Sequence, residues 1–381
     1  MDFSLTPRVI LLTVAGSRAY GLHRPGSDVD LKGVAIPPRR YLHGFARRFE
    51  QADSSSHLAP FAALLNAEER EAVAETKLEG SVYHLVKFFG LAADANPNIL
   101  DALFCRDDEV RLSHPLGARL REHRQLFLSA KAKHTFSGYA AAQMKRIQLH
   151  RRWLIQPPKG APSRGEYGLP ERTLIPADQL MAAQAAVRTQ LDRWELDLSM
   201  LDPMEAERLR ERMEEVLVER SVAADTRFYD AARSIGLDDN LILVMDRERR
   251  YESARKEWEQ YVRWGRERNP ERAALEAKFG YDAKHAAHLV RLLAMGREIL
   301  TTGQVNVWRG GRDAELLLAI RGGAWSFDQL MQHAQDADAE LEQIYRTGSF
   351  AVPKQVDRDA LDRLCVSLVE EGLHLLPEDI E

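Results

Sequence analysis

Hydrophobic positions along the chain first fall in short unbroken or alternating runs and later recur at helical spacing. "RVILLTVA" (8–15) is a continuous, β-branched-rich apolar run, the pattern of a buried strand. "DVDLKGVAI" (28–36) alternates Asp28, Asp30 and Lys32 with Val29, Leu31 and Gly33, which predicts a half-buried strand ending at Pro37-Pro38. Residues 51–72, rich in Ala and Glu, predict helix, and "AETKLEG" (74–80) predicts a third strand with Glu75, Lys77 and Glu79 on one face. "SVYHLVKFFGLAAD" (81–94) then reads as a helix with Ser81 as its cap and Val82, Leu85, Phe88 and Phe89 on its apolar side. Past about residue 110 the helical period dominates. It is interrupted by the Pro- and Gly-rich stretch 155–178, and charged amphipathic helices are predicted over 178–201, 203–235 and 246–268. The pattern therefore predicts an α+β protein, with a mixed sheet-and-helix domain over 1–110 and a mainly α-helical region over 111–381.

Composition narrows the class. The chain has 381 residues, enough for two or three domains, and its 53 Lys and Arg against 58 Asp and Glu give a net charge of −5. A general nucleic-acid-coating protein is excluded by that balance, but a local basic face is not. Residues 141–175 supply one: Lys145, Arg146, Arg151, Arg152, Lys159, Arg164 and Arg172 stand against only Glu166 and Glu171. Such a stripe can steer a polyanion, or it can be an ordinary solvated helix and loop. Cys105 and Cys365 are far apart and have no metal-type spacing, which suits a reducing compartment. "VILLTVA" is too short to cross a membrane and lacks the flanks of a signal peptide, so a cytoplasmic protein with no membrane partner is expected.

Candidate chemistry concentrates in "VAGSRAYGLHRPGSDVDLKGVAIPP" (14–38). Aspartates at i and i+2 of a strand point to one face, where their mutual repulsion is relieved by cations. Mg²⁺ favours such oxygen ligands together with substrate phosphates. Gly16 and Ser17 end the preceding strand and offer backbone N–H groups and a hydroxyl to phosphate, with Arg18, Arg24 and Lys32 as neutralising charges. Gly-Ser alone is a common turn, and Asp-x-Asp alone is usually a solvated strand edge. The combination in this order is far more specific.

"GSRAYG…GSDVDLKGV" resembles the active-site motif of the DNA polymerase β-type nucleotidyltransferase superfamily. "NPNILDALF" (96–104), "FSGYAAAQMKRI" (136–147) and "YDAKHAAHLVRLLAMGREILTTGQV" (281–305) resemble a bacterial and phage family of predicted nucleotidyltransferases associated with RNA repair. The resemblance implies a polymerase β-like mixed sheet and two-metal nucleotidyl transfer. In that scheme Asp28 and Asp30 hold two Mg²⁺ or Mn²⁺ ions, and Gly16, Ser17, Arg18, Ser27 and Lys32 surround the nucleotide phosphates. It also implies a third carboxylate on an adjacent strand; Glu79 is the first choice and Glu75 the alternative.

The helical half adds two rows of side chains. Lys284, His288 and Arg291 fall at i, i+4 and i+7 on one helix face, with Ala286, Ala287, Leu289, Val290 and Leu293 opposite as packing positions. The basic face reads either as solvated surface or, by the resemblance, as a nucleotide-binding face that closes over the NTP. Tyr139, Gln143 and Arg146 form a similar row, either a base or ribose contact for the substrate or a plain amphipathic face. The "WRGGRD" turn (308–313) lacks a strand-loop-helix context and reads as a hairpin-like turn. Two classes of function follow. The first is an enzyme moving NMP from NTP to a hydroxyl, on RNA such as a tRNA end, or on a protein or small molecule. The second is a nucleotide- or RNA-binding component of a repair or defence system.

Overall fold

The computed structural model describes residues 2–173, 175–193, 223–268 and 270–377. Its centre is a five-stranded mixed sheet. The strands are β1 (Val9–Ala15), β2 (Val29–Ala35), β3 (Gln51–Ala52), β4 (Leu78–His84) and β5 (Val110–Ser113), in the spatial order β3-β4-β2-β1-β5. β1 is buried at every position, as its unbroken apolar run predicts. β2 pairs antiparallel with β1 and parallel with β4, so Asp30 lies between Ala15 and Glu79.

The sheet buries both faces. Leu12, Val14, Val29, Leu31 and Val82 pack against Leu58, Phe61 and Phe49 on one side. On the other, Leu11, Val34 and Ile36 meet helices α3 (Leu85–Ala93) and α4 (Pro97–Phe104) through Phe88, Ile99, Leu100 and Leu103. Each such side chain, removed fully from water, contributes roughly 1.5–3 kcal/mol. The same core continues into two long helices packed along each other, α5 (Ala132–Ile155) and α7 (Ala283–Thr302), with α6 (Pro270–Phe279) between them in sequence. Ala286, Ala287, Leu289, Val290 and Leu293 are the buried side of α7, as their spacing predicts.

The chain divides into two compact units: Met1–Ile155 with Pro270–Glu381, and Gln156–Asn269. Residue 110, where the change to helix was expected, lies inside the first unit, in which α5 and α7 share a core with the helices on the sheet. The second unit holds helices Ala177–Arg193, Ala223–Ser234 and Asp239–Glu267 around Leu180, Val187, Phe228, Ile242 and Met245. Most of the helix expected over 203–235, and the end of that over 178–201, lie outside the described residues.

Two local expectations are corrected. β4 begins at Leu78, and Glu75 is the last residue of helix α2 (Ala67–Glu75), not a strand position. Residues 81–84 extend β4 instead of opening a helix; the helix starts at Leu85, with His84 at its N-cap. The parallel ladder decides this, pairing Ser81 with Lys32 and Tyr83 with Val34 and sending Val82 into the opposite core. Tertiary pairing outweighs a local helical spacing of apolar residues. The region 51–72 is also more broken than expected, with β3, a short helix at Ser55–Leu58 and a 3-10 turn at Ala59–Leu64 before α2.

Candidate active site

β1 ends beside the start of β2, and the chain must turn there without striking its neighbour. Gly16 does so with φ +62°, and a Cβ at this position would fall 2.0 Å from Asp30 Oδ2. Only glycine meets both demands. The single-turn helix α1 (Gly16–Ala19) follows, closed by Tyr20 N–H donating to Gly16 O at 3.2 Å and Leu22 N–H to Ser17 O at 2.8 Å. Ser27 closes the return, its Oγ accepting from Arg24 N at 2.9 Å.

Strand alternation puts Asp28, Asp30 and Lys32 on one face. Asp28 and Glu79 are exposed and Asp30 is half-buried, with Glu79 next to Asp30 in parallel register. The Lys32 ammonium lies 5.6 Å from the Tyr83 ring centroid on the same face. Burial pushes the Asp30 carboxyl above its usual range and the Asp28 charge adds to the rise, while Lys32 and Lys284 oppose it. Exposed Lys284, in the first turn of α7, thus lies within electrostatic reach of Asp30. Arg18 instead forms an ion pair with Glu68 at 2.9 Å.

Beneath this surface lies a buried polar cluster. Tyr20 Oη donates to Asp101 Oδ2 at 2.6 Å. The Arg291 guanidinium stacks 3.7 Å from the Tyr20 ring centroid, with its Nη1 3.6 Å from Asp101 Oδ2. Arg291 Nη2 also donates to His288 Nδ1 at 3.0 Å. The row Lys284, His288, Arg291 is consequently not one open basic face. Lys284 is exposed, whereas Arg291 is only 1 % exposed and belongs to the core. Burial raises the Asp101 carboxyl despite Arg291, and raises Tyr20 as well.

His288 is pushed down to about 2, by burial first and then by Arg291 and neighbouring cations including Lys284 and Arg146. Its linkage has a definite sign. The unfolded chain binds the proton below its ordinary value of 6.5, and the folded protein refuses it until about pH 2. This contribution to stability is therefore complete above that ordinary value and is lost as pH falls, at no more than about 1.4 kcal/mol per pH unit. His288→Asn is expected to flatten this acid limb of the urea midpoint plotted against pH; an unchanged slope would contradict the assignment.

The second row is split as well. Tyr139 Oη accepts from Asn96 Nδ2 at 2.8 Å, Gln143 carries a buried Oε1, and Arg146 is exposed. In the basic stripe, Arg151 is taken up by the Phe327 ring and Gly280 O, and Arg164 pairs with buried Glu248. Lys145 and Arg146 are exposed. Both cysteines are buried free thiols, pushed up by burial to about 12 at Cys105 and about 11 at Cys365.

The "WRGGRD" segment is no hairpin but a brace for the loop after α1. Arg309 N–H donates to Tyr20 O at 3.1 Å, and Arg321 donates to Leu22 O. Trp308 packs under Gly21, where a Cβ would come within 2.7 Å of its ring, and Arg106 stacks on the indole at 3.7 Å. Buried Arg309 is fixed by Glu298 and Asp313 at 2.8 and 2.6 Å. Sequence reading overlooked Tyr20, Asp101, Trp308 and Arg309 as supports. The available signal was Asp101 itself, a lone acid in the apolar helix "PNILDALF".

Residues 3–156 are similar to the RNA repair pathway DNA polymerase beta family, a match that supports a polymerase β-type nucleotidyltransferase family. No curated protein and no solved structure matches the chain. No helix among the described residues is long and apolar enough to cross a membrane.

Proposed function

We propose that this protein transfers a nucleoside monophosphate from an NTP to a hydroxyl of RNA, with Asp28, Asp30 and Glu79 as the catalytic carboxylates. The observation that carries the reading is the Gly16 turn pressed against Asp30, with Glu79 in register on the neighbouring strand. The oxygens of Asp28, Asp30 and Glu79 do not all lie within 4.8 Å of one another; we read them as hard oxygen donors beside a side-chain-free turn that a bound Mg²⁺ or Mn²⁺ would draw together next to a polyphosphate. Bound there, two such ions would supply charge neutralisation at the transferring phosphoryl group.

The chain's own residues do the rest. Gly16 and Ser17 let the triphosphate approach the backbone, and Lys32 and Lys284 attract it. Ser27 holds the returning loop, and Arg18 adds positive charge at its edge. Glu79 takes the proton of the attacking hydroxyl as its oxygen bonds to the α-phosphorus and the bond to pyrophosphate breaks. Arg291 and His288 support the nucleotide side from below through Tyr20. An RNA acceptor is supported by the family match and by exposed Lys145 and Arg146 on α5, with Tyr139 and Gln143 on the same helix as further acceptor contacts.

The test is incubation of the purified protein with each labelled NTP, Mg²⁺ or Mn²⁺, and RNA ending in a 3′-hydroxyl. Label should enter RNA as an added nucleotide. Label entering a protein or small molecule instead would overturn the acceptor, and none entering any acceptor would overturn the activity. Two substitutions refine it. Glu79→Gln should lower transfer by about 10²- to 10⁴-fold, with Glu75→Gln near wild type; the reverse order would make Glu75 the third carboxylate. Lys284→Ala should raise the KM for NTP about 10- to 100-fold, the worth of one charge-assisted contact, in a titration of rate against NTP concentration.

A further inference from the structure

A second group of metal-type donors lies apart from the aspartates and does not depend on the reading above. We infer that His150, Glu276 and Asp282 bind a divalent transition metal, Zn²⁺ by their donor set, with His285 beside Asp282 at the edge of the group. His150 is near the end of α5, Glu276 lies in α6, and Asp282 and His285 stand at the N-cap and in the first turn of α7. A ring nitrogen of His150 and carboxylate oxygens of Glu276 and Asp282 all lie within 4.8 Å of one another. Glu276 is 2 % exposed and Asp282 0 %.

Asp282 Oδ2 is 3.7 Å from His150 Nδ1 and 3.5 Å from His285 Nε2. A direct imidazole–carboxylate hydrogen bond would bring these atoms to about 2.7–3.2 Å. Metal bonds of about 2.0–2.1 Å around a tetrahedral centre instead separate neighbouring donors by about 3.3 Å. The observed spacing is close to that edge and slightly expanded.

Asp282 divides its two oxygens between different tasks. Oδ1 accepts the backbone N–H groups of Lys284 and His285, both at 3.1 Å, which caps α7 and fixes the carboxylate plane. Oδ2 is thereby aimed at the two imidazoles, the outer-shell restraint typical of metal ligands. His150 is itself held by stacking on Trp153, with centroids 5.4 Å apart and planes 22° from parallel.

One imidazole and two carboxylates, with a second imidazole beside Asp282, suit Zn²⁺ and its transition-metal neighbours, whereas Mg²⁺ prefers oxygen ligands and water in an octahedron. The chain thus separates two kinds of metal chemistry: an all-oxygen set on the sheet and a mixed nitrogen–oxygen set between helices. The second joins α5, α6 and α7 where the chain leaves and re-enters its larger unit, and it fixes the turn of α7 that carries Lys284.

The test uses the full chain carrying Asp28→Asn and Asp30→Asn, so that the all-oxygen set cannot compete. After chelator treatment the protein is titrated with Zn²⁺ against a chromogenic chelator, and with Co²⁺ while recording visible absorption. Stoichiometric Zn²⁺ uptake and tetrahedral-type Co²⁺ bands displaced by Zn²⁺ are expected, with Mg²⁺ unable to compete. His150→Ala and His285→Ala should each weaken Zn²⁺ binding by about 10- to 100-fold, and Glu276→Gln, which keeps its volume, should weaken it too. Circular dichroism establishes that each variant is folded. Absence of stoichiometric uptake by the folded parent, or uptake unchanged in all three variants, would overturn the site. Because the readout is metal binding by a transfer-deficient protein, failure here leaves the proposed nucleotidyl transfer untouched, and the converse also holds.

Discussion

Asp28→Asn and Asp30→Asn will each reduce nucleotidyl transfer by roughly 10³-fold or more without unfolding the protein. Charge stabilisation of a transferring phosphoryl group is worth several kcal/mol, and each 1.4 kcal/mol is about tenfold in rate. An asparagine keeps the size of the side chain but withdraws a negative donor. The stability side of the prediction is equally definite. Asp30 is a half-buried carboxylate whose ionisation is opposed by burial and by Asp28. Neutralising it removes a repulsion, so the thermal midpoint of Asp30→Asn should equal or exceed that of the wild type. Lost activity together with unchanged or raised stability is the signature of residues kept for chemistry rather than folding. The assay is label transfer to RNA beside thermal unfolding of the same samples. Near-wild-type transfer by the folded double variant would sink the carboxylate assignment.

Much of that site is readable from sequence because it is local. An apolar run long enough for one strand, a glycine where the chain must turn, and two acids at period two specify β1, α1 and β2 with little help from elsewhere. The end of β4 was not readable. "LEGSVYH" has a helix-compatible spacing of apolar residues into "LVKFF", and only pairing with β2, distant in sequence, makes Ser81–His84 extended. The placement of Arg291 was hidden for the same reason. Helical periodicity assigns it to a face but does not reveal that Tyr20 and Asp101 receive it. Likewise, "WRGGRD" gains its role from Tyr20 O and Gly21, nearly three hundred residues earlier in the chain. The Pro- and Gly-rich stretch from 155 coincides with the start of the second unit, whereas no such change in composition accompanies its end at 269. That end follows from which helices share a core.

The cluster beneath the site supports the largest expected effect on stability. Asp101 and Arg291 are 3 % and 1 % exposed, so removing one partner strands the other charge away from water. Asp101→Ala should destabilise the protein by about 3–5 kcal/mol, the range for breaking a buried pair by deleting one member. Asp101→Asn should be milder, since its oxygen can still accept from Tyr20 Oη. Joint replacement by Asp101→Leu and Arg291→Met should recover much of the loss, because two apolar side chains need no mutual compensation. Urea unfolding of the four proteins at one pH measures this, with the free energies entered as a double-mutant cycle. The cluster also stacks on Tyr20, immediately after α1, so folded Asp101→Asn should show a raised KM for NTP with its carboxylate chemistry preserved. Were Asp101→Ala to cost less than about 1 kcal/mol, below the usual cost of one unsatisfied buried group, the pair would not be the anchor that joins α4 and α7 to the Gly16 turn.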